Sequence, residues 1–253
     1  MDSYEQFQEK LKSCRQYLDR NVFLTLYYHE IRLAFRSFLQ RAWIVSILFF
    51  GLLFTIGERN LESVGTLLVF FVFFGTIIAL VISSSSISGE IGGIADSLLS
   101  KSVKRWEYLL SKFISHITVV LIVYFSVLFV MIGILWNFEF LPADLDYENL
   151  LLAVVLVGFG LVFFSSCGVM FSSIFSKTIF SLLASIIVWF LLIFLFVTTE
   201  WEFLYSPVEI LHKFDVILDG SWDIEYWKLF LFYIGSPLVF FAGSLIFFYQ
   251  KDL

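Results

Sequence analysis

The stretch Phe113–Trp136, FISHITVVLIVYFSVLFVMIGILW, contains no Asp, Glu, Lys or Arg from end to end. A helix needs about 20 mostly apolar residues to cross the hydrocarbon core of a bilayer, and this run is long enough. It is continuously apolar, whereas a membrane β-strand alternates over about ten residues, so the pattern selects a helix. In a helix every backbone N–H and C=O inside the run finds its partner within the segment, as lipid requires.

Five more runs of the same kind flank it: Phe38–Ile56, Val64–Ile87, Leu150–Phe175, Ile179–Thr198 and Leu229–Tyr249. They account for a chain of 253 residues that is 60% apolar and 15% charged, against nearly half apolar and a quarter charged in an ordinary soluble domain. The sequence therefore predicts an all-α, polytopic membrane protein with six transmembrane helices. Residues 1–40 form a polar, helical amino-terminal segment, and residues 41–253 the membrane domain. The first forty residues lack the short basic stretch, apolar block and small-residue cleavage site of a secretory signal, so no cleavable leader is predicted. Cys14 and Cys167 make no CxxC pair and no disulfide framework.

Charge sets the expected orientation. Lys10, Lys12, Arg15, Arg20, Arg32, Arg36 and Arg41 precede or open the first run, Lys101, Lys104, Arg105 and Lys112 lie around the second connection, and Lys177 and Lys251 fall on the same side. Only Arg59, Lys213 and Lys228 fall on the other. Basic residues collect on the cytoplasmic side, which predicts a plasma-membrane protein with both termini in the cytoplasm. The net charge of -6 then comes from acidic outer connections, notably residues 199–228. It describes the outer face and points to no nucleic-acid partner.

Two stretches before the first run are amphipathic. Tyr4, Phe7, Leu11, Cys14 and Leu18 line one face against Glu5, Glu9, Lys12 and Asp19. Asn21–Gln40 is rich in aromatics, interrupted by His29, Glu30, Arg32 and Arg36, a composition suited to a helix in the headgroup layer. A first span that simply starts early is the alternative.

No energy source is visible in the chain. It has no GxxxxGK[ST] phosphate-binding loop. The six runs hold no acid or base at membrane depth apart from His116, near the start of the third, which disfavours an ion-coupled carrier or a proton pump. A transporter without either device takes its work from another protein, and the long inner connection 88–111 is where that work would enter.

That connection, with its next residue, reads SGEIGGIADSLLSKSVKRWEYLLSK from Ser88 to Lys112. Glu90, Gly93, Leu98, Leu99, Ser100, Arg105, Glu107, Leu110 and Lys112 resemble the inner loop of ABC-2-type transporter permeases. His29-Glu30-Ile31 with Arg36-Ser37 resembles that family's amino-terminal interfacial helix. Ser206-Pro207, His212, Gly220, Asp223 and Tyr226 resemble the outer loop of a subgroup that includes the nitrous-oxide-reductase accessory and gliding-motility permeases. Ser102 stands where the family usually has proline, and the segment before about Asn21 reads as an addition.

The resemblance implies a half-permease that pairs with a second copy or a homologous permease and works with two ABC ATPase subunits, which would bind ATP and Mg; no cofactor is expected in this chain. It also implies a short cytoplasmic coupling helix, and Ile94–Ser100 can form one after Gly92 and Gly93. Its apolar side, Ile94, Leu98 and Leu99, would enter a cleft of the ATPase, flanked by Asp96, Lys101, Lys104 and Arg105, with Glu90 and Gly93 leading into it. Pro207, His212, Asp215 and Trp222 mark the outer connection as an outer gate or a docking place for an extracytoplasmic protein. In the second case the helices would transmit ATPase motion outward without moving a cargo. His212 with Glu209 and Asp215 also leaves open a metal site or an intramembrane enzyme.

Overall fold

A computed structural model describes residues 22–58, 62–90, 103–138, 140, 146–199, 216–217, 220–221 and 225–250. Among these residues every regular element is helical. Helix α1 is Val22–Arg36 and α2 is Phe38–Glu58. Helices α3 (Glu62–Phe70) and α4 (Thr76–Ser84) are joined by a π segment, Phe71–Gly75. Then follow α5 (Arg105–Asn137), α6 (Tyr147–Ile174), α7 (Thr178–Thr199) and α8 (Tyr226–Gln250).

Five helical stretches are long and apolar enough to cross a bilayer: Gln40–Gly57, Val64–Ser84, Arg105–Asn137, Tyr147–Ile174 and Trp227–Gln250. The fifth predicted run is a helix over nearly its predicted extent, but its described apolar part, Thr178–Leu192, is shorter than a span. Large apolar side chains such as Val45, Phe49, Phe129, Ile187, Leu231 and Val239 face outward. Soluble monomers rarely expose contiguous apolar surface on this scale, so this exterior suits acyl chains.

Three boundaries differ from the sequence reading. The predicted amino-terminal segment Asn21–Gln40 ends as a helix at Arg36, separate from the first span, because the chain breaks at Ser37: its N–H bonds back to Leu33 and Ala34, and its hydroxyl accepts from the N–H of Gln40 at 3.4 Å. A serine hydroxyl serving the next helix's first free N–H groups is an N-cap arrangement. The second run ends as a helix at Ser84 and continues as a turn to Glu90. The third begins at Arg105, so the last part of the predicted 88–111 connection is helix. At 33 residues α5 is about 50 Å long, well beyond a hydrocarbon core of about 30 Å.

Helix α6 is the centre of the bundle and packs against α4, α5, α7 and α8. Its small residues allow the closest approach: a Cβ on Gly168 would lie 2.8 Å from the Leu80 carbonyl and 2.8 Å from Ser83 Cβ, and the Ser165 and Ser83 hydroxyls bond at 2.9 Å. The stripe Gly158 to Gly168 is thus a packing surface. Cys167 within it is buried and unpaired. Toward the other end of the bundle Phe71 meets the Tyr124 ring edge-on at 4.7 Å, and Tyr124 donates to the Val154 carbonyl at 2.7 Å.

Candidate functional site

The end of the bundle from which residues 91–102 emerge carries a cluster of charge. Lys112, 2% exposed, holds Glu30 at 2.9 Å and Glu90 at 2.6 Å. Those carboxylates are themselves largely covered, at 13% and 22%. Tyr108, one turn before Lys112 on α5, donates to the second oxygen of Glu90 at 2.8 Å. The lysine also lies over the Tyr108 ring, 5.6 Å from its centroid. Each member comes from a different part of the chain: Glu30 from α1, Glu90 from the turn after α4, and Lys112 and Tyr108 from α5.

Why these residues meet follows from the elements. Helix α1 lies along α5, and Tyr27 donates to Thr118 at 3.1 Å, fixing the register that brings Glu30 over Lys112. Glu90 is placed by a hydroxyl network beneath the turn. Ser172 of α6 accepts from the N–H of Ile87 at 2.8 Å and of Ser88 at 2.9 Å. Ser181 of α7 donates to the Ser84 carbonyl at 2.9 Å, and Ser88 bonds to Thr178 at 3.2 Å. The free backbone groups where α4 ends are therefore satisfied by two neighbouring helices, which holds the start of the connection still. Its far side is held as well. Arg105 donates to the carbonyls of Phe248 and Tyr249 at the end of α8, at 3.4 and 3.3 Å, the arrangement in which a cation best meets a helix C-terminus. Tyr108 stacks on Phe248 at 5.8 Å.

Of the residues singled out in the sequence, Glu30 and Glu90 are thus brought together and Arg105 lies beside them. The carboxylate of Glu90 turns inward onto Lys112 and Tyr108. Arg32 and Arg36 are exposed on α1 and stand apart from the cluster; the Arg36 carbonyl accepts from Arg41. Gly93, Ile94, Asp96, Leu98, Leu99 and Lys101 of the coupling segment lie outside the described residues, as do Pro207, His212, Asp215 and Trp222 of the outer connection and the amphipathic segment 4–18. Among the described residues no group of three His, Cys, Asp or Glu side chains is placed to hold a metal ion.

Lys112, the hub, entered the sequence reading only as an inner charge and a motif position. The available signal was a charged pair, Glu90 and Lys112, closing the second run and opening the third. Behind the cluster lies a polar cavity of about 230 Å³. Ser85 and Ser86 at the end of the second run face it, and the hydroxyls of Ser84 and Ser85 bond to carbonyls one turn back at 2.8 and 2.9 Å. Ser84 thus bonds to the backbone, Ser86 lines the cavity, and Ser85 does both.

This end of the bundle joins an amino-terminal helix to the inner connection with its permease-like motif, and the family comparison covers both. A family model described as ABC-2 family transporter protein matches residues 2–253. The chain belongs to the ABC-2 transporter family. It is a permease subunit of an ABC transporter, a multi-pass membrane protein whose family functions with an ABC ATPase. The match begins at residue 2, so the segment before Asn21 lies within the matched residues. Compared with curated proteins, the permease matches none.

Proposed function

We propose that the permease is a half-transporter with six spans and both termini in the cytoplasm, that it pairs with a second copy, and that it exports a substrate on the work of a separate ABC ATPase dimer holding ATP and Mg. The observation that carries this is the family match over residues 2–253. In this reading α1 lies in the headgroup layer, and Ile94–Ser100 is the coupling helix that enters the ATPase. The Glu30–Lys112–Glu90 cluster supports it, because it joins the root of the connection to both α1 and α5. A push on the connection would then move the amino-terminal helix and the third span together.

Co-purification with the ATPase tests the docking. Leu98→Asp with Leu99→Asp puts charge on the apolar knob and is expected to abolish ATPase capture while leaving the permease in the membrane. Full capture by this variant would overturn the coupling-helix assignment. The acidic, aromatic outer connection between α7 and α8 favours a second reading, in which the subunit passes ATPase motion to an extracytoplasmic protein, as the resemblance to the nitrous-oxide-reductase and gliding-motility subgroup suggests. ATP turnover raised by lipid or solute supports transport. Turnover raised only by an outer protein supports transmission.

A further inference from the structure

The cavity behind the charge cluster contains two side chains that are almost wholly buried yet each leave a polar atom without a partner. Gln40, 1% exposed, leaves its amide nitrogen unbonded, and Ser86, 7% exposed, leaves its hydroxyl unbonded. Both line the same cavity as Glu30, Glu90 and Lys112. Buried polar groups without a partner cost free energy, and their usual remedy is a bound molecule or ordered water. At about 230 Å³ the cavity is far larger than the roughly 10–15 Å³ that admits one water.

Charge narrows what belongs there. Glu30, Glu90 and Lys112 sum to one net negative charge, with the imidazole of His116, also in the wall, carrying none in its ordinary neutral state. A largely covered and unbalanced carboxylate calls for a cation. Three acceptors are at hand: the Glu30 carboxylate, the Ser86 hydroxyl oxygen and the Gln40 amide, whose oxygen and nitrogen exchange by a flip of the amide plane. Three acceptors around one positive charge match the three N–H bonds of an R–NH3⁺ group. The cluster already seats one such group, that of Lys112, between two carboxylates. A quaternary ammonium has no N–H to offer Gln40 or Ser86, and a divalent metal would sit against the Lys112 ammonium.

The cavity reaches the surface where α1 turns into α2, since Leu33 and Ser37 in its wall are exposed. Arg36 precedes Ser37, and Arg41 lies one turn further on. An ammonium inside with a phosphate at that basic fringe is the charge order of an ethanolamine headgroup.

We propose that this cavity is a binding site for a primary ammonium group, supplied by an aminophospholipid headgroup or by a free amine. The test uses the full chain in nanodiscs holding phosphatidylethanolamine and phosphatidylcholine in equal amounts, with retained lipid read by native mass spectrometry. A lipid source predicts selective retention of the ethanolamine lipid, reduced about tenfold in Gln40→Leu and in Ser86→Ala, as expected when a well-made contact to a charge is lost. Each variant removes a buried polar atom that bonds to nothing in the protein, Nε2 of Gln40 or Oγ of Ser86, and leaves Lys112 with both carboxylates, so the fold should persist; unchanged melting confirms it. A soluble source predicts no lipid preference, but a rise in melting temperature with ethanolamine and none with choline in phosphatidylcholine discs, again lost in the two variants. Retention that ignores both substitutions, or the absence of both the lipid preference and the ethanolamine stabilisation, overturns the proposal and leaves the cavity to water.

Discussion

A lysine covered to 2% exposure is tolerated only while its charge is answered, and Glu30 and Glu90 answer it from two sides. The pair is asymmetric in consequence. Removing both charges of an ion pair together can be nearly neutral, whereas removing one strands the other. Lys112→Met is therefore expected to destabilise the fold by about 3–5 kcal/mol, because two carboxylates then face each other around an apolar side chain. Lys112→Met with Glu30→Gln and Glu90→Gln should recover much of that loss. Thermal unfolding in detergent measures both, and equal melting points for the single and triple variants would refute the account. This cluster was only half legible in the sequence. Motif resemblance drew attention to Glu30 and Glu90 as separate features of separate segments. That they share a lysine is a tertiary fact: Glu30 and Lys112 lie on different helices, and no spacing rule links them. The partnerless Gln40 was invisible for the same reason, since polarity at the start of an apolar run does not say which way a side chain turns.

At the level of elements, the apolar runs predicted the helices well, because lipid leaves the backbone no alternative and hydropathy marks where lipid begins and ends. Boundaries failed where protein replaces lipid or water. Helix α5 extends back to Arg105 because Tyr108, Leu109 and Phe113 bury against Ile87, Val169 and Phe248, which a water-facing loop would not do. The π segment Phe71–Gly75 had no hydropathy signature at all. It lies where Thr76 Oγ turns back onto the Val72 carbonyl while receiving the indole N–H of Trp189 from α7 at 2.9 Å. Single π turns within α-helices mark points of local adjustment, and here one adjusts the second span to its neighbour. The small residues of α6 let α4 approach closely, with Gly168 against the Leu80 carbonyl and Ser165 bonded to Ser83. Gly168→Ala tests it sharply. The added methyl meets a backbone carbonyl, which cannot swing away as a side-chain end can. A loss of about 1–3 kcal/mol is expected, against almost none for Gly57→Ala, where the space is open. Comparable losses at both positions would argue against close α4–α6 contact.

For the molecule as a whole, the orientation inferred from basic residues can be checked with the chain's own chemistry. Cys167 is buried and should stay silent to thiol reagents. With Cys14 replaced by Ser, a membrane-impermeant maleimide applied to intact cells is expected to label Gly57→Cys, where an added side chain meets nothing. It should spare Lys104→Cys at the exposed foot of α5 until the membrane is permeabilised. The reverse pattern would invert the topology and put the 88–112 connection out of reach of any cytoplasmic ATPase. The three-membered charge cluster also constrains how the family can diverge. A lineage that loses the base at position 112 while keeping both acids carries an uncompensated charge, so the first change lowers fitness unless a second follows. Among aligned relatives, positions 30, 90 and 112 are therefore expected to drift as a unit, charged together or neutral together. Mixed states should be rare and confined to short branches.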